Sequence, residues 1–490
     1  MTDQPFKQSA CLDGEVTTLR RGPYEYSLIG EYVRLLLILS ALLVLMWLAQ
    51  LAFRENVSLP SLLAVVVLLA TLVTARGMLW LRVFMLAAMT FNVFAVVTNP
   101  DDVWSGRDTV DPLVIPSLIL LICLTVAFIF EAGSMIRERG RPNWIKLLCL
   151  GMLASSVAGY IVGVPLVNAF WESFSGDASN AAARAPGWTI SKEMLFRSAK
   201  FVVFAIFTYF GACIGSFLNV VAYGIPRGES VGLRNSSCPK CNAKISRIDN
   251  LPVFSYLNLS ARCRSCQAPI PVRYLLVELQ VAAIFGSLFL YELVTGAANV
   301  PAMSRIFYSG ILWIVLYPKW NIIGIYLFHS LFMSFLVVLS LIEWDRQKLK
   351  LRFSIALVLL FLLAATAYLP LQPIPAPEYL SSLVGHIPAV SQFAKLVFGG
   401  IVGAIAASFF GSVTEQENRS TFFPAMTLAG VVLGWQTTLH VSVLFAVLLL
   451  AVRFVPRLRS PLSAQPTLIF LTAVMIHHPI WKTVYEWISI

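Results

Sequence analysis

FVVFAIFTYFGACIGSFLNVVAYGIPRGES, residues 201–230, opens as an apolar run and closes on a proline, an arginine, a glycine and a glutamate. A bilayer span needs roughly 20 apolar residues, and Phe201–Val221 meets that length. Runs of the same kind recur on both sides. Before it come Leu35–Phe53, Leu59–Ala75, Met78–Val97, Leu113–Phe130 and Leu147–Phe170. After it come Tyr274–Val294, Asn321–Ile342, Phe353–Leu371, Lys395–Phe410, Ala425–Thr438, Val441–Val452 and Thr467–Trp481. The expected fold is an all-α polytopic membrane protein with about 13 transmembrane helices. Ile306–Tyr317 is apolar but short and ends at Pro318, so it reads as interfacial or re-entrant rather than spanning.

Composition agrees. The 490 residues are 58% hydrophobic and 12% charged, about half the charge of an ordinary soluble protein. The net charge of +11 would suggest nucleic acid in a soluble chain. In this one the positive-inside rule accounts for it, because cytoplasmic loops collect Lys and Arg. Arg137, Arg139, Arg141 and Lys146 fill one loop, while Asp101, Asp102, Asp108 and Asp111 dominate the loop before it. The rule places the N-terminus and the 133–146, 224–273 and 343–352 segments in the cytoplasm of an inner-membrane protein, and the 99–111 loop outside. The first thirty residues are polar and lack the apolar core of a cleavable signal, so the first span reads as an uncleaved anchor.

Four regions follow. Residues 1–200 hold about five spans with short loops and read as an extra N-terminal membrane domain. It ends in a Ser-, Ala-, Asn- and Gly-rich linker over 172–200. Residues 201–223 form one membrane helix, 224–273 a cytoplasmic four-Cys domain, and 274–490 a second membrane domain.

The four-Cys domain reads Cys238-Pro-Lys-Cys241, then 21 residues, then Cys263-Arg-Ser-Cys266. Two residues between cysteines let both thiolates face one ion from a tight knuckle, and two knuckles complete a tetrahedral four-sulfur shell. A reducing cytoplasm disfavours the disulfide alternative. Zinc is the default ion, and a closed shell makes it structural: a zinc-ribbon-like loop. Lys240, Lys244, Arg262 and Arg264 lie close by in sequence and are expected to lower the thiol pKa values.

GACIGSFLNVVAYGIPRGES at 211–230, IDNLPVFSYLNL at 248–259 and CRSCQAPIPVRYLLVEL at 263–279 together resemble the N-terminal signature and cysteine-bounded domain of bacterial prepilin peptidases, the A24 peptidase family. That resemblance implies an aspartic endopeptidase of the membrane. It would cut leaders from type IV prepilins or type II secretion pseudopilins, binding their N-terminal helices at the cytoplasmic face. It also implies N-methylation with S-adenosylmethionine. The cleavage chemistry needs two carboxyl groups sharing a proton.

The chain departs from the family at those carboxyls. The stretch resembling Leu-Ile-Asp-x-Asp is Leu341-Ile342-Glu343-Trp344-Asp345, so the resemblance marks Glu343, with Asp345 beside it, as the catalytic acids. Counting back from Gly434-Trp435-Gln436 places Phe422 where the Gly-x-Gly-Asp motif would carry its Asp, after Arg419, Ser420 and Thr421. Glu415 and Glu417 are the nearest carboxylates. The leading reading is a family member with lost or impaired proteolysis. The alternatives are an active enzyme using Glu343 or Asp345 with Glu417, and a transporter or scaffold in which Glu278 and His329 mark an ion path. The adjacent His477 and His478 point to different helix faces and are not expected to share a metal.

Overall fold

A computed structural model describes a few positions between 151 and 166, and residues 189–229, 237–238, 240–259, 261–301, 303, 313–374, 387–411, 419–454 and 465–488. The spans expected before residue 147, most of Leu147–Phe170, and the charged loops between them lie outside the described residues, as do residues 306–312, Glu415 and Glu417.

The described residues form helices and no strand; two isolated bridges are the only β pairing among them. Eight helices carry the fold: α1 Ile190–Arg227, α2 Val272–Leu288, α3 Trp320–Trp344, α4 Leu351–Ala367, α5 Pro388–Gly411, α6 Arg419–Leu433, α7 Trp435–Phe454 and α8 Pro466–His477. A π-helical turn, Phe289–Val294, continues α2, and Trp481–Ile488 follows α8. Among the described residues, five helices are long and apolar enough to cross a membrane: α1, α2 with its π turn, α3, α5 and α7 as far as Val452. The apolar helices α4 and α6 are shorter. The chain is therefore a multi-helix membrane protein.

Boundaries differ from the sequence reading in two places: α1 begins at Ile190 and runs to Arg227, so residues 190–200 of the expected linker are helix, and the division between α6 and α7 is shifted. Ala425–Thr438 and Val441–Val452 were separate runs by hydropathy, but the break falls at Gly434, whose φ is 83°. Left-handed backbone is cheap for glycine alone. Thr438 thus belongs to the same helix as Val441, and α6 stops at Leu433.

Backbone contact between helices does much of the packing. In lipid there is little hydrophobic drive between helices, so close packing of small residues takes over. An added Cβ at Gly430 would lie 2.0 Å from the Gly399 carbonyl oxygen, and one at Gly403 would lie 2.3 Å from that of Met426. No side chain fits there, so α5 and α6 touch along their backbones. Gly211 and Gly215 of α1 meet α2 in the same way, against Val281 and Glu278. The central helix is α3, which buries Leu336, Val337, Val338, Leu339 and Ile342 against α1, α2, α6 and α8. By contrast, α1 leaves Val202, Ile206, Phe210 and Phe217 exposed, the surface expected of a helix facing lipid.

A four-cysteine cluster and a sequestered carboxylate

The two cysteine knuckles are built alike. At the first, the Cys238 N–H donates to Ala243 O and the Asn242 N–H to Cys238 O. At the second, the Cys263 N–H donates to Ala268 O and the Gln267 N–H to Cys263 O. Asn242 and Gln267 both take positive φ, 55° and 57°, which turns each knuckle back on itself. The bridges Ser237↔Lys244 and Arg262↔Pro269 close both at the same offset. Sequence spacing becomes one cluster: Cys238 and Cys266 sulfurs are 3.9 Å apart and Cys241 and Cys263 sulfurs 4.0 Å. All four thiols lie within 4.8 Å of one another. A tetrahedral zinc with bonds of ~2.3 Å sets its sulfurs ~3.8 Å apart, so this donor set fits that ion.

The thiol electrostatics have a different origin from the one expected. The backbone N–H groups of Cys241 and Lys240 pull the Cys238 thiol down to about 6. Cys241 gains from the Ala243 N–H, yet the Cys266, Cys238 and Cys263 sulfurs push it up to about 11. Side-chain cations are not the cause: the Arg264 guanidinium is engaged with Asp249, at 2.8 and 2.6 Å, and holds that carboxyl below its usual range.

Glu278 fastens this domain to the membrane helices. Its buried carboxylate accepts the Val253 N–H at 2.7 Å. Val253 has φ 65°, a strained value for a β-branched residue. Glu278 is thus a docking residue between α2 and the loop.

Glu343 lies in the last turn of α3 and is 2% exposed. Its carboxylate accepts the Thr467 N–H at 2.8 Å, the Thr467 hydroxyl at 2.9 Å and the Thr421 hydroxyl at 3.3 Å. It therefore ties α3 to the starts of α6 and α8. Asp345 follows the helix end and is separate from it, gripped by both terminal guanidinium nitrogens of Arg273. The two acids read together in sequence are parted by the end of α3, which turns Asp345 outward.

Phe422 is 1% exposed. Its ring packs 5.2 Å from Phe445 and 6.2 Å from Phe470. A cavity of about 480 Å³ opens beside it, with walls that include Leu349, Ser354, Gly411, Arg419 and Phe422 but not Glu343. Among the described residues, Glu343 meets threonines and no second carboxyl. The sequence reading missed Thr421 and Thr467; only the Gln465-Pro466-Thr467 helix start hinted at a group needing a cap.

The two residues proposed for an ion path have other partners: Glu278 takes Val253, and His329 meets Glu292. His477 and His478 diverge as expected, His477 toward His440 and His478 toward His329.

Comparison with known proteins places the cysteine region. Residues 209–292 match the family model of the bacterial peptidase A24 N-terminal domain. A prepilin leader peptidase/N-methyltransferase of Myxococcus xanthus is 45% identical over 84 residues, covering 17% of this chain and 25% of that protein. One of Vibrio cholerae is 40% identical over 88 residues, 16% of this chain and 35% of the relative. The leader peptide-processing enzyme for type 4 prepilin-like proteins of Escherichia coli is 43% identical over 93 residues, 15% and 35%. The chain spans about a quarter to a third of the length of the curated relatives it matches. No solved structure matches. Residues 209–292 are thus similar to the bacterial peptidase A24 N-terminal domain, and through that segment the chain resembles the bacterial prepilin peptidases.

Proposed function

We propose that this chain is a prepilin-peptidase relative of the inner membrane that keeps the zinc knuckle domain and the helical scaffold but does not cut. The four cysteines Cys238, Cys241, Cys263 and Cys266 hold a structural zinc, and the loop lies in the cytoplasm with its eight Lys and Arg against two acids. Residues 1–200 add about five spans, for about 13 in all.

The observation that carries the reading is the fate of the two acid positions. Amide hydrolysis of this kind needs a water held between two carboxyl groups, one ionised and one protonated. Glu343 is buried under three donors that fix it as an acceptor. The position counted as its partner is Phe422, whose ring neither gives nor takes a proton. The cavity beside Phe422 is lined with apolar side chains, the serines Ser354, Ser408 and Ser420, and Arg419. It suits an apolar helix end with a polar group near it, such as the N-terminal segment of a prepilin or pseudopilin, bound without being split.

Methylation enters through the family resemblance and through the relatives' names, which include N-methyltransferase. S-adenosylmethionine would be its methyl donor, as a second substrate.

The test is expression of the full chain in a cell lacking its own prepilin peptidase, with a co-expressed prepilin. The expected result is an unprocessed leader and a prepilin that copurifies with the chain. Leader removal at an ordinary rate would overturn the reading. It would turn attention to Glu415 and Glu417 with Glu343 or Asp345.

A further inference from the structure

We propose that Glu292, His329 and His478 form a second metal site, which takes a divalent transition-metal ion of the zinc type. It does not depend on the peptidase reading.

The three side chains come from separate elements and meet in a fully buried place: Glu292 is 0% exposed, His329 1% and His478 3%. Glu292 Oε1 lies 2.5 Å from His329 Nδ1 and 3.2 Å from His478 Nε2. One ligand atom from each falls within 4.8 Å of the other two. Two imidazoles and one carboxylate, with a fourth position left over, are a recurrent three-ligand zinc set.

Local backbone irregularities aim two of the three. Glu292 sits in the π-helical turn Phe289–Val294, and π turns inside helices occur mostly at functional sites. His478 opens the tight turn after α8. The Trp481 ring packs 5.7 Å from both imidazoles.

Glu292 Oε2 remains without a hydrogen-bond partner, and His478 Nε2 makes no well-aligned hydrogen bond, only its 3.2 Å ion-pair approach to Glu292 Oε1. An unpartnered carboxylate oxygen in a dry interior is costly, and a cation answers both atoms at once. The outer partner is also in place. Asn299 Nδ2 lies 3.3 Å from His478 Nδ1, while Asn299 Oδ1 has no partner. A metal on Nε2 leaves the ring proton on Nδ1. Turning the Asn299 amide over then offers its oxygen as the acceptor, the usual outer contact of a ligating histidine, in exchange for the 3.2 Å hydrogen bond that its Nδ2 donates to the His478 carbonyl.

The site is distinct from the cysteine cluster. Glu278, which docks the cysteine domain, and Glu292 are 14 residues apart on one continuous helix, ~21 Å at 1.5 Å per residue.

The full chain is purified in detergent under reducing conditions, loaded with Zn²⁺ alone, and read by metal content and X-ray absorption. Two zinc ions per chain are expected, one in a sulfur shell and one in a nitrogen and oxygen shell. His329→Gln with His478→Gln should lose the second ion and keep the first. Cys238→Ser with Cys263→Ser should do the reverse, and Asn299→Ala should weaken the second ion 10–100-fold. A single zinc with an all-sulfur shell would overturn the proposal and leave the cluster as a proton-sharing ion pair. So would a second ion indifferent to the histidine substitutions. Should the histidine variant fail to fold, the absorption spectrum of the unaltered chain decides by itself.

Discussion

The Glu343 carboxylate accepts the Thr467 backbone N–H at 2.8 Å and the Thr467 hydroxyl at 2.9 Å. It thereby caps the N-terminus of α8 from another helix. A helix start carries unpaired N–H groups and partial positive charge, both of which favour a carboxylate. The acid that the Leu-Ile-Asp-x-Asp resemblance marks as catalytic is committed to holding α3, α6 and α8 together.

Glu343→Ala should therefore act on stability. Removing the acceptor leaves the Thr467 N–H and two hydroxyls buried without it, at a cost of about 1–3 kcal/mol. Glu343→Gln keeps one acceptor oxygen and should lose less. A double-mutant cycle with Thr467→Ala, read by thermal denaturation in detergent, should show coupling of about 0.5–3 kcal/mol. Additive effects would separate the two residues.

Phe422→Asp places a carboxylate between the Phe445 and Phe470 rings. Arg419, three residues earlier on α6 and on the wall of the same cavity, is committed to the Gly411 carbonyl, so the variant should be destabilised by several kcal/mol and should not cleave. Thr421→Asp is the better rescue, because Thr421 is the residue that touches Glu343. Paired with Glu343→Asp, it should create measurable leader removal if any substitution does. Cleavage by Phe422→Asp and none by Thr421→Asp would show that the motif count governs and the modern geometry does not.

The cysteine domain should depend on pH in the metal-free, reduced chain. Cys238 is lowered from 9.0 to about 6. Its stabilising contribution is full above pH 9 and is lost as pH falls through about 6. Cys241 is raised from 9.0 to about 11. Its contribution is full below pH 9 and is lost as pH rises through about 11. Protection of the loop from protease or from amide exchange should peak near pH 9 and decline on both sides. Zinc should flatten the profile, because the bound thiolates no longer titrate over that range.

Gly430→Leu should separate α5 from α6. The nearest obstacle to a Cβ is the Gly399 backbone at 2.0 Å, which no rotamer change relieves. The cost should reach or exceed the upper end of the ~1–3 kcal/mol typical of overpacking. Gly151→Leu, where nothing lies within 4 Å, is the matched control and should be near neutral.

Glu278→Ala should free the cysteine domain from the bundle while leaving its sulfur cluster intact. The Val253 N–H loses its acceptor, and the left-handed Val253 has nothing to hold it. Protease cuts between residues 245 and 260 should appear, with zinc content unchanged. Loss of zinc in that variant would mean that docking and metal shell form one unit.

Hydropathy alone determined that the chain is helical and membrane-embedded, because each span writes its own apolar length into consecutive residues. The cysteine domain was legible for the same reason. Two C-x-x-C pairs carry their ligand geometry in local spacing, and the 263–279 stretch lies beside the helix that supports it. What the tertiary structure decided are pairings between distant positions. Thr467 is 124 residues from Glu343, His478 is 186 from Glu292 and Arg273 is 72 from Asp345. Sequence set Glu343 and Asp345 side by side, and the end of α3 sent them to different partners. It set His477 and His478 side by side, and the turn after α8 sent only the second to Glu292. Periodicity reports which face of a helix is apolar; it does not report which helix that face will meet. Backbones touch at glycines between α1 and α2 and between α5 and α6, while the buried polar groups meet where α3 packs against the end of α2, α6 and α8.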